Sequence, residues 1–109
     1  MSLSIEDFSR IEFRIGRIVS ADDIPQARNP MYKLMIDFGT GTLKQCVGGI
    51  KQYYTKEQLT GKLIVAVMNL RPKSVAGVVS ECMMLAAFDE TNLSLLVPDR
   101  DMPLGAKVA

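Results

Sequence analysis

Residues 32–68 read YKLMIDFGTGTLKQCVGGIKQYYTKEQLTGKLIVAVM. Tyr32, Leu34, Ile36 and Phe38 alternate with Met31, Lys33, Met35 and Asp37, the two-residue period of a strand with one buried face. Gly39-Thr40-Gly41-Thr42 turns the chain, and Leu43–Val47 returns as a second strand, so the pair predicts a hairpin that Gly48-Gly49 ends. Thr55 offers a capping hydroxyl for a short helical stretch, Lys56–Leu59, and Gly61 terminates it. The continuous apolar run Leu63–Met68 predicts a strand buried on both faces.

Outward from this segment, Ser4 and Asp7 have the spacing of a capping box for one helical turn over Ile5–Ser9. Ile11, Phe13 and Ile15 then alternate with Glu12, Arg14 and Gly16, a half-buried strand whose phase slips after Gly16. Glycine inside a strand marks a bulge or bend, and a bent first strand serves two sheets of a small barrel. Ile24–Pro30 is a proline-rich loop, and residues 69–80 are a long loop with a basic tip. Met83–Phe88 is an apolar strand, Asp89–Asn92 a turn, Leu93–Val97 a final strand, and the tail that follows is irregular. Strand, strand, strand, helix, strand, strand is the order of an OB-fold, so the expected class is all-β: a five-stranded barrel with short helices and an extra C-terminal hairpin strand. That fold binds oligonucleotides through the face of strands two and three and the loops after strands one and four, here 24–30 and 69–80.

The 109 residues suit a single domain spanning 1–109, and 48% apolar composition permits a packed core. No apolar run reaches the ~20 residues of a bilayer span, and MSLSIEDF lacks the basic and apolar regions of a signal peptide. The expectation is a cytoplasmic protein with no membrane partner. Net charge is +1, but residues 28–80 carry eight basic side chains against two acidic ones, while both flanks are acidic. A basic middle supports a phosphate-seeking face.

Histidine is absent, and Cys46 and Cys82 stand 36 residues apart without a CxxC partner. A zinc site of four cysteines, or of two cysteines and two histidines, is excluded within one chain, as is any Ser-His or Cys-His nucleophile pair. No cofactor, metal or catalytic residue is expected, and the cysteines read as buried reduced thiols. Gly39-x-Gly41 and Gly48-Gly49 fit no phosphate-loop pattern and read as turn glycines. Asp99 and Asp101 read as a solvated turn. Arg71-Pro72-Lys73 sets two cations beside a proline that restricts the backbone, which suits phosphate contact because less ordering entropy opposes binding. Ser80 offers a hydroxyl to RNA; Met83, read from its surroundings alone, is core.

Several of these segments together resemble the tRNA-binding domain family, which occurs free-standing, fused to methionyl-tRNA synthetases, and in CsaA-type proteins. They run from Asp7-Phe8 and Arg14-x-Gly16-x-Ile18-Val19 through Lys33-Leu34-x-Ile36-Asp37-Phe38-Gly39, Gly48-Gly49-Ile50 and Tyr53-Tyr54. Gly61-Lys62, Asn69-Leu70-Arg71-Pro72-Lys73, Gly77-Val78-x-Ser80, Met83, Leu85, Pro98-Asp99 and Pro103-x-Gly105-x-Lys107-Val108 complete the series. The resemblance implies an OB barrel, a homodimer, and non-catalytic docking on the outside corner of tRNA. The protein would act alone or supply RNA affinity to a methionyl-tRNA synthetase in trans. RNA contact is thereby expected at Lys33, Arg71, Lys73, Ser80 and Met83; Arg28, Asn29 and Lys51 complete the candidate RNA-binding set.

Two positions depart from the family pattern. Arg28-Asn29-Pro30 stands where Ala-Asp-Lys is usual, and Ser80-Glu81-Cys82-Met83 carries Cys82 in place of a glycine. Ala27-Arg28-x-Pro30 before Tyr32-Lys33-Leu34 is nearer the CsaA-type branch, which implies the alternative of a dimeric chaperone holding a peptide in an apolar groove. The seven methionines suit such an adaptable surface.

Overall fold

A computed structural model describes residues 1–109. Helix α1 (Ile5–Ser9) starts where Ser4 Oγ accepts from the Asp7 amide and buries none of its residues. The strands follow as β1 (Phe13–Asp23), β2 (Tyr32–Asp37) and β3 (Lys44–Gly48), then helix α2 (Lys56–Leu59) and β4 (Leu63–Val67). In α2 the expected cap is a full capping box: Gln58 N donates to Thr55 Oγ1 while Thr55 N donates to Gln58 Oε1. Beyond it lie β5 (Lys73–Val75), β6 (Val78–Ser80), β7 (Met83–Met84), β8 (Ala86–Phe88), β9 (Leu93–Leu95) and β10 (Lys107–Val108). Neither helix is long and apolar enough to cross a membrane.

The main sheet runs β3-β2-β1-β4-β7, all antiparallel, with β10 on the edge of β1 that β2 leaves free. This curled sheet is the OB-type barrel expected from the element order. Strand β1 serves both of its halves, pairing with β4 through Phe13–Arg17 and with β2 through Arg17–Asp23. Its phase slip, expected after Gly16, falls at Val19, between Ile18 and Ser20. Gly16 serves a different purpose, because a Cβ there would stand 2.5 Å from the Phe38 ring and 2.7 Å from Ile36. Its missing side chain lets Phe38 enter the barrel. Gly105 does the same for the tail, with φ +84° and no room for a Cβ against the Phe38 carbonyl.

The interior is filled by Ile18, Leu34, Ile36 and Ile64 from β1, β2 and β4, with Leu59 contributed by α2.

Four expectations are corrected. Loop 69–80 contains the β5–β6 hairpin, whose two turn residues, Ala76 (φ 51°) and Gly77 (φ 81°), both take left-handed φ. That turn matches the twist of a hairpin, but alanine rarely adopts it, so Ala-Gly gave no turn signal. The run Met83–Phe88 is two strands on different partners, β7 on β4 and β8 on β9, and Phe88 stands 79% exposed at the end of β8. The tail is not wholly irregular, since Lys107–Val108 pairs with Arg14–Phe13. Finally, Cys46 and Cys82 form a disulfide and are not free thiols. Barrel closure brings their Cα atoms to 5.2 Å, a separation that permits bridging and that 36 intervening residues conceal in the sequence.

Gly16→Ala is expected to destabilise the protein by about 1–3 kcal/mol through overpacking against Phe38. A urea unfolding midpoint equal to that of the parent protein would show that the Phe38 approach is not limiting.

Candidate nucleic-acid interface

The outer face of β2 and β3 follows from their alternation: with Tyr32, Leu34, Ile36 and Cys46 inside, Lys33, Met35, Gln45 and Val47 face outward. Hairpin β5–β6 extends this face beyond β3. Lys33 lies opposite Val47, the Val47 amide donates to Ser80 Oγ (3.0 Å), and Ser80 lies opposite Lys73. Lys33 and Lys73 therefore mark the ends of one transverse row across β2, β3, β6 and β5, joined at its middle by the Val47–Ser80 hydrogen bond. The loop after β1 reaches the same hairpin, because Gln26 Nε2 donates to the Ala76 carbonyl at 2.9 Å. The two loops expected to border the binding face thus meet. Gln26 carried no sequence signal, since its role depends on a carbonyl 50 residues away.

The basic side chains separate into two groups. Ion pairs occupy Arg10, Arg14, Lys51, Lys56 and Arg100. The other eight are in none: Arg17, Lys62 and Lys107 lie elsewhere on the barrel, whereas Arg28, Lys33, Lys44, Arg71 and Lys73 fall on the segments that form this face and its loops. Lys51, expected beside them, instead bonds Asp23 at 2.9 Å, and Lys56 bonds the other oxygen of that carboxylate at 3.0 Å. Those two hydrogen bonds hold the Asp23 carboxyl below the usual aspartate range, and the Asp23 bond raises Lys56 above the usual lysine range. Lys51 acts at the end of β1 as a local counter-ion.

Arg28 and Asn29 are exposed on the loop that Gln26 anchors. Ser80 is half-buried, and its hydroxyl is engaged twice: it accepts from Val47 N and donates to the Cys82 carbonyl (3.2 Å). It serves first to hold the hairpin on β3. Met83 is 49% exposed, which overturns its reading as core. It borders an apolar groove with Val47, Gly49, Ile50, Leu85 and Phe88 and also reaches a second groove against α1. No cluster of three or more potential metal ligands forms.

A small β-barrel whose β2–β3 face is flanked by two touching loops has the architecture of the OB class. Residues 13–107 match the family model described as a putative tRNA binding domain, and the chain belongs to that family. It is 44% identical over 106 residues to a methionine–tRNA ligase of Pyrococcus furiosus, covering 97% of this chain but 14% of that protein. Among solved structures it is similar to the chaperone CsaA of Bacillus anthracis (TM-score 0.93, 38% identity) over the whole of both chains. A MetRS-related protein of Pyrococcus horikoshii is likewise similar over both whole chains (TM-score 0.89, 31% identity).

The Asp23 cluster has a defined pH response. Its contribution to stability is complete between the ordinary aspartate and lysine ranges. It is lost as pH falls through the lowered pKa of Asp23 and, at the other extreme, as pH rises through the raised pKa of Lys56. Carboxyl-carbon NMR is expected to show Asp23 titrating below the usual aspartate range and moving back toward it in Lys56→Ala; an unmoved titration contradicts the assignment.

Proposed function

We propose that this protein is a non-catalytic RNA-binding module that docks on the backbone of structured tRNA through the β2–β3 face, the 24–30 loop and the β5–β6 hairpin. The observation that carries the reading is the group Arg28, Lys33, Arg71 and Lys73, each outside any ion pair, on that face and its borders. The outward positions Lys33, Met35, Asp37, Gln45 and Val47 include no aromatic ring. A face without stacking platforms is suited to folded RNA held by its phosphates, not to unstacked single strands. Membership in the tRNA-binding family supports the same substrate, and the methionine–tRNA ligase relatives support a synthetase as the partner in trans.

Arg71→Ala/Lys73→Ala is expected to weaken tRNA binding and to reduce the slope of log affinity against log salt by about one for each phosphate no longer touched. A folded double variant with unchanged affinity and slope moves the contact surface elsewhere.

The protein acts, in this reading, as a homodimer. Helix α1 buries nothing, and Ile11, Leu70 and Met83 are exposed around a groove of about 630 Å³ also lined by Phe13, Val67 and Leu85. Twofold association covers such a surface with its own copy, and Asp7 and Arg10 at its margin give both signs of charge for self-complementary contact. Light scattering at micromolar concentration is expected to give twice the 12.0 kDa chain mass, and the monomer mass for Ile11→Glu; a monomeric parent protein removes the dimer.

A second reading, peptide holding in the manner of a chaperone, is favoured by the exposed Phe88 beside the Met83 groove and by the likeness to CsaA structures. Apolar peptide capture is insensitive to salt, whereas phosphate docking is steeply dependent on it, so the same salt series separates the two.

A further inference from the structure

The β5–β6 hairpin is rooted at a seam that is not an ordinary strand ladder. One backbone bond crosses it, from Glu81 N to the Gln45 carbonyl (2.7 Å). The remaining links use side chains: Gln45 N to Glu81 Oε1 (2.9 Å), Gln45 Nε2 to the Val79 carbonyl (2.8 Å) and Val47 N to Ser80 Oγ (3.0 Å). Within this seam lies the Cys46–Cys82 disulfide, with Cys46 1% and Cys82 4% exposed and both packed in the core cluster.

We propose that the Cys46–Cys82 disulfide is a redox clamp on RNA affinity, fixing the Arg71/Lys73 hairpin against the Lys33 face. The proposal rests on the RNA-binding reading above. Cys46 is flanked by Gln45 and Val47, the two β3 residues that hold the hairpin, and Cys82 follows Ser80 and Glu81, the two residues that hold β3. The covalent bond therefore joins the middle of the β3 side of the seam to the end of the hairpin side, directly after Val79, Ser80 and Glu81. Once it is broken, two unbonded sulfurs need more separation than a bonded pair. Leu34, Ile64 and Ala66 of the same core cluster are fully buried and close packing resists expansion there, so the seam widens. The cations on its two sides then lose their fixed spacing, and ordering them falls to the RNA.

The reductant is a dithiol. Its thiolate attacks one sulfur, forming a mixed disulfide and releasing the other cysteine as a thiolate, which takes up a proton. The second thiolate of the reductant resolves the mixed disulfide, so two electrons and two protons pass to the protein and the dithiol becomes a cyclic disulfide. Both sulfurs are buried, so exchange requires the seam to open. RNA bound across the seam opposes that opening, and linkage demands the converse: RNA protects the disulfide from reduction.

The test titrates total tRNA into air-oxidised protein and into dithiothreitol-reduced protein, with free thiols counted by trapping and the fold followed by near-UV circular dichroism. The oxidised form is expected to bind more tightly by about threefold or more. Cys46→Ala/Cys82→Ala is expected to bind like the reduced form and to ignore dithiothreitol. Saturating tRNA is expected to slow thiol release from the parent protein, a measurement that stands even where the double variant does not fold. Equal affinity of folded oxidised and reduced protein overturns the clamp and leaves the RNA reading intact. Absence of tRNA binding in both forms overturns the RNA reading and the clamp with it. Two free thiols that persist under a mild oxidant overturn the clamp alone.

Discussion

The barrel depends on one strand belonging to two halves of a sheet. An eleven-residue strand cannot pair with β4 at one end and β2 at the other, and keep its apolar residues inside, unless it changes phase on the way. The irregularity at Val19 supplies that change. Ile18 and Ala21, on either side of it, are both buried, though an uninterrupted two-residue period would set them on opposite faces. Gly16 sits just before the irregularity, where the bend brings Phe38 across the strand, and the tail segment around Gly105 crosses Phe38 from the other side. One aromatic ring thus ties the first strand, the second strand and the C-terminal tail together, at positions where a side chain would keep them apart.

Closure on the opposite side is of another kind. Between β3 and the Ser80–Cys82 segment the ladder is replaced by Gln45, Glu81 and Ser80 side chains and a disulfide. A regular ladder would have locked the hairpin into the plane of β3. Side-chain links instead let β6 pair with β5 and lean out from the barrel, which carries Arg71 and Lys73 to the border of the face that holds Lys33. The same irregular seam that completes the barrel shapes the cationic surface. A disulfide closing a loop of this length stabilises a fold by about 2–4 kcal/mol, comparable to several of the hydrogen bonds beside it. Ser80 shows why family position and chemical role separate here: a hydroxyl placed well for RNA is already committed to both sides of the seam.

Charge segregation gives the face its sign. Asp23 neutralises Lys51 and Lys56 beside the second helix, while Arg28, Arg71 and Lys73 stay outside any ion pair at the two loops. A net charge of +1 therefore coexists with a locally basic surface, because the acidic residues lie in the flanking segments or are spent on local pairs. The apolar grooves around Met83 lie beside this face and divide surface between RNA and protein partners.

The amino-acid sequence alone determined the strand order, the inward set Tyr32, Leu34, Ile36 and Phe38, and the capped turn at Thr55. These depend on period and on contacts within a few residues, which the chain order displays directly. It also marked Arg28, Lys33, Arg71 and Lys73, because a cation cluster is visible as composition. Tertiary structure alone decided the Cys46–Cys82 bond, the engagement of Ser80, the diversion of Lys51 to Asp23, the exposure of Met83 and the anchoring of the first loop by Gln26. Each joins groups 28 to 50 residues apart or turns on which face an apolar residue meets, and no local period encodes a distance that exists only after the barrel has closed.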